Sequence, residues 1–272
     1  MDFNILVFLG ICIICLVLTL RYISRPGQII LTWASLTVLL IIFFISFNLS
    51  YNFIFKKIGY LIYVGLTTTL YVSIISIILA CILGLILALG KLAQNGILYA
   101  FSTFYISFFR GTPLLLQVYL IYLGLPQINI VLPAIIAGII SLSLGYAAYM
   151  AEIFRSGIQN IPKGQWEAAQ SLGFNSYITF IKIIMPQSMR LIIPPIGSQF
   201  ISMLKDSSLV SVLGVWELMF VAKSQGRSEF KNLEMLITAA FIYWFVSLIF
   251  ELLQAKSEKY FSRENFYFKN KK

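Results

Sequence analysis

The sequence predicts an all-α protein, a polytopic membrane helical bundle. Three observations predict it. The 272 residues are 60% hydrophobic and 11% charged, with a mean hydropathy of +0.90, far from the usage of soluble domains. Apolar runs of about 18 residues or more recur, the length a helix needs to cross a hydrocarbon layer of about 30 Å. The basic residues mostly flank those runs, so the net charge of +10 fits membrane topology and anionic lipid rather than nucleic acid.

The segments follow in order. A first span runs from Phe3 to Leu20, short but sufficient with snorkelling flanks. It lacks a basic leader and a small-residue cleavage site, so it does not read as a cleaved signal. A second span covers Ile29 to Leu49, and Asn48 to Lys57 reads as a polar, aromatic link. The third runs from Tyr60 to Leu89, with Gly65 and Gly84 permitting close helix approach. Ile97 to Phe109 is aromatic-rich and reads as an interfacial helix, broken at Arg110-Gly111-Thr112-Pro113. Proline has no backbone donor and disfavours helix at the residue before it. A fourth span then covers Leu114 to Leu125, and a fifth Leu132 to Ala151, dotted with small residues that suit tight packing. Glu152 to Met185 is a loop. The sixth span runs from Leu191 past Ser211, bent at Pro194-Pro195, and Gly214 to Glu234 is a mixed loop. The seventh covers Leu236 to Leu253, before a charged tail. The expected organisation is two N-terminal transmembrane helices in 1–52, a transmembrane core in 53–255, and a cytoplasmic tail in 256–272.

Seven spans place the chain ends on opposite sides. With the C-terminus cytoplasmic, the inner links hold Arg21, Arg25, Lys91, Arg155, Lys163, Lys182 and Arg190, besides the basic tail. The outer links hold Lys56, Lys57, Lys223, Arg227 and Lys231. The positive-inside rule therefore puts the N-terminus outside, with Lys56 and Lys57 against it. The chain has no His, which removes the commonest general base and metal ligand. Cys12, Cys15 and Cys81 sit in apolar runs without metal spacing. No catalytic group, cofactor site or metal site is expected. No G-x-x-x-x-G-K-[ST] run is present, so the chain has no phosphate cradle of its own for ATP.

The loop from Glu152 to Pro186 carries the most information. Pro162 stops the preceding helix. Gln165 to Leu172 favours helix, and Gly173 suits the left-handed position that ends one. Phe174 to Ile184 turns helical again, with apolar residues at Tyr177, Phe180, Ile181 and Ile184. Two short helices with a glycine turn would lie under the membrane. On residue type alone, an amphipathic loop resting on headgroups is the competing reading. Arg110 reads either as a snorkelling cation or as an anchor at the mouth of a pathway. Lys205 and Asp206 lie about 22 Å along a helix from Arg190. Charges at that depth usually face an interior or a wet cavity. They read either as a structural ion pair or as groups that sense the ammonium and carboxylate of a solute.

The spacing Glu167-Ala168-Ala169, Gly173, Ile183, Met185-Pro186 resembles the EAA loop of ABC-transporter permeases, whose pattern has Leu at the position of Met185. Gly145-Tyr146-Ala147-Ala148-Tyr149-Met150-Ala151-Glu152, Phe109-Arg110-Gly111-Thr112-Pro113-Leu114-Leu115 and Leu204-Lys205-Asp206-Ser207-Ser208-Leu209 are similar in order and spacing to the polar and basic amino acid branch. The resemblance covers about Tyr60 to Leu253. It implies a type I importer (MetI-like) core of five helices, to which the two N-terminal helices are extra. It also implies a separate ABC ATPase subunit docking on Trp166, Glu167, Ala168, Ala169, Leu172 and Gly173. The further partners it implies are a second permease subunit, identical or related, and an extracytoplasmic amino-acid-binding protein in a bacterial plasma (inner) membrane. Substrate-pathway candidates are Arg110, Glu152, Lys205, Asp206 and Ser207. The alternative is a carrier of a small polar solute driven by an ion gradient; such carriers often show inverted repeats and broken helices. The break at Pro113 and the Lys205-Asp206 pair support that alternative, but no clear repeat does.

Overall fold

The computed structural model describes residues 24–45, 47 and 49–269, with 260 and 262–269 by backbone alone. The chain divides into two compact units, Met1–Tyr51 and Asn52–Lys272. In the first unit, α1 (Arg25–Ile45) is apolar enough to cross a membrane and buries none of its residues. The expected span at Phe3 to Leu20 lies outside the described residues.

The second unit is helical among the described residues. α2 runs over Tyr51–Leu92, with a π-helical segment at Leu61–Leu66. The polar link expected at Asn48 to Lys57 is therefore mostly helix. Its apolar face carries buried Phe53, and the ammonium groups of Lys57 and Lys231 sit over that ring. α3 (Gly96–Gly111) and α4 (Leu114–Gly124) are separated at Thr112-Pro113 and, with the 3-10 turn Leu125–Ile128, bent by 106°. The expected break is present. α4 alone is about 16 Å long by helical rise, too short to cross about 30 Å of hydrocarbon, so the bent pair α3–α4 forms either a broken span or a re-entrant loop.

α5 (Ala134–Gln159) continues beyond Ala151 as helix, longer than expected. α6 (Lys163–Ser171) follows. α7 (Ser176–Leu213) contains a π-helical segment at Phe180–Ile184 and ends in 3-10 geometry from Ser207. It remains helical through Pro194 and Pro195. The turn falls later, at Gly214 to Glu217, and α8 (Leu218–Ser228) leaves it at 51° to α7. The mixed loop expected there is thus largely helix. α9 spans Asn232–Lys269, so the expected tail is helical to that point.

Tight crossings hold the unit together. A Cβ on Gly84 would collide with the Met150 side chain and sit 3.0 Å from the Ala147 carbonyl, so α2 and α5 touch backbone to backbone. α5 and α7 run in opposite directions. Gly138, near the start of α5, packs on Val210 near the end of α7, and Gly157, near the end of α5, packs on Ile192. The bundle therefore has two ends, one carrying α6 and the other the α7–α8 turn.

Candidate functional site

At the first end, Ile158, Ile161 and Ile184 form a small buried cluster, and Trp166, Phe180 and Ile183 pack on it. α6 hangs from this cluster by one face. Ala169 is 2% exposed, while Glu167 and Ala168 point outward and Leu172 is 75% exposed. The stop after α6 is explicit. Gly173 has φ +80; its N–H donates to the Gln170 carbonyl at 2.9 Å, and the Phe174 N–H donates to the Ala169 carbonyl at 3.1 Å. That double closure is a Schellman motif, which favours glycine at the left-handed position. Asn175 then opens the next helix, its side chain accepting from the Ile178 N–H at 2.8 Å. Leu172, Phe174, Tyr177 and Ile178 remain exposed around the turn. An apolar prow on a rigid glycine stop is the kind of surface that a partner protein covers.

Inside the bundle, the break between α3 and α4 opens a cavity of about 230 Å³. Its polar lining comes from Gln117, Tyr146, Gln199, Ser202 and Asp206. The Tyr146 hydroxyl donates to Asp206 Oδ2 at 2.7 Å. Gln117 is 3% exposed. Its Nε2 donates to the Phe109 and Thr112 carbonyls at 2.8 and 3.1 Å and to the Thr112 hydroxyl at 2.9 Å. It thereby takes up carbonyls left open where Pro113 ends α3. Its Oε1 is buried without a donor, beside Gly145. The guanidinium of Arg110 lies 5.5 Å from the Tyr149 ring centroid, and Tyr149 also borders the cavity. That level is about 15 Å from the end of α5 by helical rise. The cavity thus holds one carboxylate among amide and hydroxyl groups that donate and accept, with one cation beside an adjoining ring.

The structure brings Asp206 to this cavity, sets Arg110 against the bordering Tyr149 ring, and leaves Lys205 away from it. Lys205 is exposed and opens on another groove, shared with Tyr243, Trp244 and Glu251 of α9. The two adjacent charges point apart, as helical geometry requires. Ser207 is buried and donates to the Leu204 carbonyl at 2.8 Å. Glu152 lies toward the α6 end. Lys91 meets its Oε1 at 2.5 Å, and Arg155 Nε donates to its Oε2 at 2.9 Å. That cluster ties the end of α2 to α5. Sequence inspection missed Gln117, Tyr146 and Tyr149 as lining residues. The signal available was a glutamine inside the apolar run Leu114 to Ile121, where an amide needs partners. Glu217, which the sequence offers beside Glu152 as a weaker charged candidate at a span boundary, is fully buried. Glu217 accepts from the Met219 and Phe220 N–H groups at 2.9 and 2.7 Å and from the Tyr243 hydroxyl at 2.7 Å. Among the described residues no three His, Cys, Asp or Glu side chains converge as a metal site would need.

Comparison with known proteins identifies the family. Residues 80–263 match the family model described as "Binding-protein-dependent transport system inner membrane component". The "Probable amino-acid ABC transporter permease protein YckA" of Bacillus subtilis (strain 168) is 39% identical over 210 residues, covering 77% of this chain and 89% of that protein. The "L-cystine transport system permease protein TcyB" of the same organism is 38% identical, covering 73% of this chain and 86% of its own length. A solved structure titled "Crystal structure of an amino acid ABC transporter with histidines" superposes with a TM-score of 0.72 at 34% identity, over 78% of this chain and 98% of that one. A chain of the MetNI methionine ABC transporter, at 17% identity and a TM-score of 0.63 over 72% of this chain and 94% of its own, shares the fold. These relatives favour the ABC permease over the gradient-driven carrier. Such a subunit works with a second permease subunit and with a separate ATPase that hydrolyses the nucleotide. The chain belongs to the binding-protein-dependent transport system inner membrane components: it is a membrane-spanning permease subunit of an ABC importer.

Proposed function

We propose that this subunit imports amino acids, and that α6 is where its ATPase partner takes hold. The observation that carries the second part is the Schellman-closed helix with its exposed Glu167, Ala168 and Leu172, seated on Ile158, Ile161 and Ile184. ATP-driven closure of the ATPase pair pushes this lever. The push reaches α5 and α7 because both contribute to the seat. The bundle then rocks between inward and outward access, a two-state motion of packed helices. The relatives' names, among them an arginine and an L-cystine permease, support amino acids as the solute.

The interior cavity is the pathway segment best suited to an amino acid. Asp206 and Gln117 Oε1 accept from an ammonium group, and Arg110 lies within reach of a carboxylate once Tyr149 moves. Lys205, Ser207 and Glu152 belong to the surrounding machinery: a groove on α9, a helix-end hydrogen bond and an inter-helix ion pair. An extracytoplasmic amino-acid-binding protein delivers the solute at the end opposite α6. The C-terminus is cytoplasmic and the N-terminus outside, by the basic-residue distribution. Residues 1–52 precede the matched family region, which begins at residue 80.

The test is ATPase capture. Alanine-to-arginine substitution at Ala168 should leave the helices inserted and abolish co-purification of the ATPase subunit. Unchanged co-purification would remove α6 from the coupling role.

A further inference from the structure

At the end of the bundle opposite α6, α8 carries Lys223 and Arg227 one turn apart on the same face. They border an open hollow of about 620 Å³, completed by Tyr119, Ser211, Ser224 and Phe220. Among the described residues neither cation forms a direct ion pair, although Lys223 lies within electrostatic range of the Glu217 carboxylate. Glu229, two positions beyond Arg227, is engaged by Lys57 at 3.6 Å, and Glu217 is buried behind the helix. The turn after α8 is built tightly. The Lys231 N–H donates to the Gly226 carbonyl at 2.8 Å, and a Cβ on Gly226 would press on Asn232. This turn holds Phe230 at φ +55, outside the usual range for a bulky residue, and leaves it 95% exposed. Trp216 stands 48% exposed before α8. A strained backbone that presents an aromatic near cations free of direct ion pairs has the composition of a protein-binding hot spot.

We propose that this hollow receives a carboxylate-bearing face of the extracytoplasmic binding protein, with Lys223 and Arg227 holding the carboxylates and Phe230 filling an apolar recess. The assignment rests on the importer reading above and on its orientation. Charge complementarity identifies the partner: among the described residues neither rim cation is held in a direct ion pair, and rim charges set encounter and register. α8 can pass on the contact. Its first N–H, from Leu218, donates to Thr69 of α2 at 3.1 Å, and Glu217 ties its start to Tyr243 of α9. Ser211 in the hollow lies on α7, the helix that also carries Asp206 into the cavity.

The experiment uses the assembled complex with its ATPase subunits in nanodiscs, titrated with the amino-acid-binding protein that stimulates its ATP hydrolysis. K223E/R227E should raise the half-stimulating concentration about tenfold or more and keep the rate at saturation. Phe230→Ala should raise it as well. In the unaltered complex, added NaCl should raise the half-stimulating concentration, and in K223E/R227E the salt effect should disappear. An unchanged half-stimulating concentration in both variants, or no salt effect on the unaltered complex, overturns the proposal while the importer reading stands. A salt effect that vanishes when phosphatidylglycerol is omitted assigns the cations to lipid and also overturns it. If no binding protein stimulates the unaltered complex, the importer reading fails and this surface fails with it.

Discussion

Replacing Gly173 with alanine isolates the backbone contribution to the lever. The left-handed φ of +80 is fixed by the double closure of α6. A Cβ placed on Gly173 meets nothing within 4 Å, so no steric clash adds to the cost. What remains is the left-handed penalty of an L-residue, about 1–2 kcal/mol. Lower entropy of the unfolded chain offsets part of it, leaving a net loss of about 1 kcal/mol. A loss of that size changes the ratio of formed to unformed turn about fivefold. Since an ATPase that needs the formed turn binds in proportion to its population, its apparent affinity falls by up to about fivefold. Asparagine tolerates the left-handed region, so Gly173→Asn should bind near the unaltered level. Ala169 is the one buried residue of α6, so bundle melting should move little in either variant. The assay is titration of the purified ATPase subunit onto the nanodisc-held permease. Equal affinity for Gly173→Ala and the unaltered chain, or a Gly173→Ala loss that Gly173→Asn shares fully, would refute the reasoning.

Three further outcomes follow from the packing and the cavity. Gly84→Val should destabilise the bundle by about 3 kcal/mol, the upper range for overpacking, because the facing atoms include the Ala147 backbone; thermal unfolding in detergent reads it. Asp206→Asn should weaken import of a cationic amino acid by about tenfold or more, since a charge-assisted contact is worth about 1.5–3 kcal/mol. Tyr146→Phe should cost less, because the carboxylate stays; uptake into proteoliposomes checks both. A double-mutant cycle on Lys91 and Glu152 should give a coupling of about 1 kcal/mol or less, as both side chains are about one-fifth exposed. A larger value, measured by unfolding, would mean that this pair locks one state of the bundle.

Sequence reading found what local chemistry dictates. Pro113 had to break a helix, and Gly173 had to end one. It missed what tertiary packing decides. Asn48 to Lys57 looked like a link because of its polar residues, yet one face buries Phe53 and accepts two cations over its ring. Gly214 to Glu234 looked mixed because α8 is amphipathic rather than apolar, and its cap is a buried glutamate rather than the usual serine, threonine, aspartate or asparagine. The cavity lining was hidden for a different reason. Gln117 is separated from Tyr146 and Asp206 in the chain, and only the bend at Thr112-Pro113 brings them together.

The most direct test of the coupling claim is a site-specific crosslink in the intact importer. With Cys12, Cys15 and Cys81 replaced, a single cysteine at Ala168 should capture the ATP-hydrolysing subunit, and a single cysteine at Ser224, at the other end of the bundle, should not. Capture at Ser224, or its absence at Ala168 in a complex that still transports, would contradict the account.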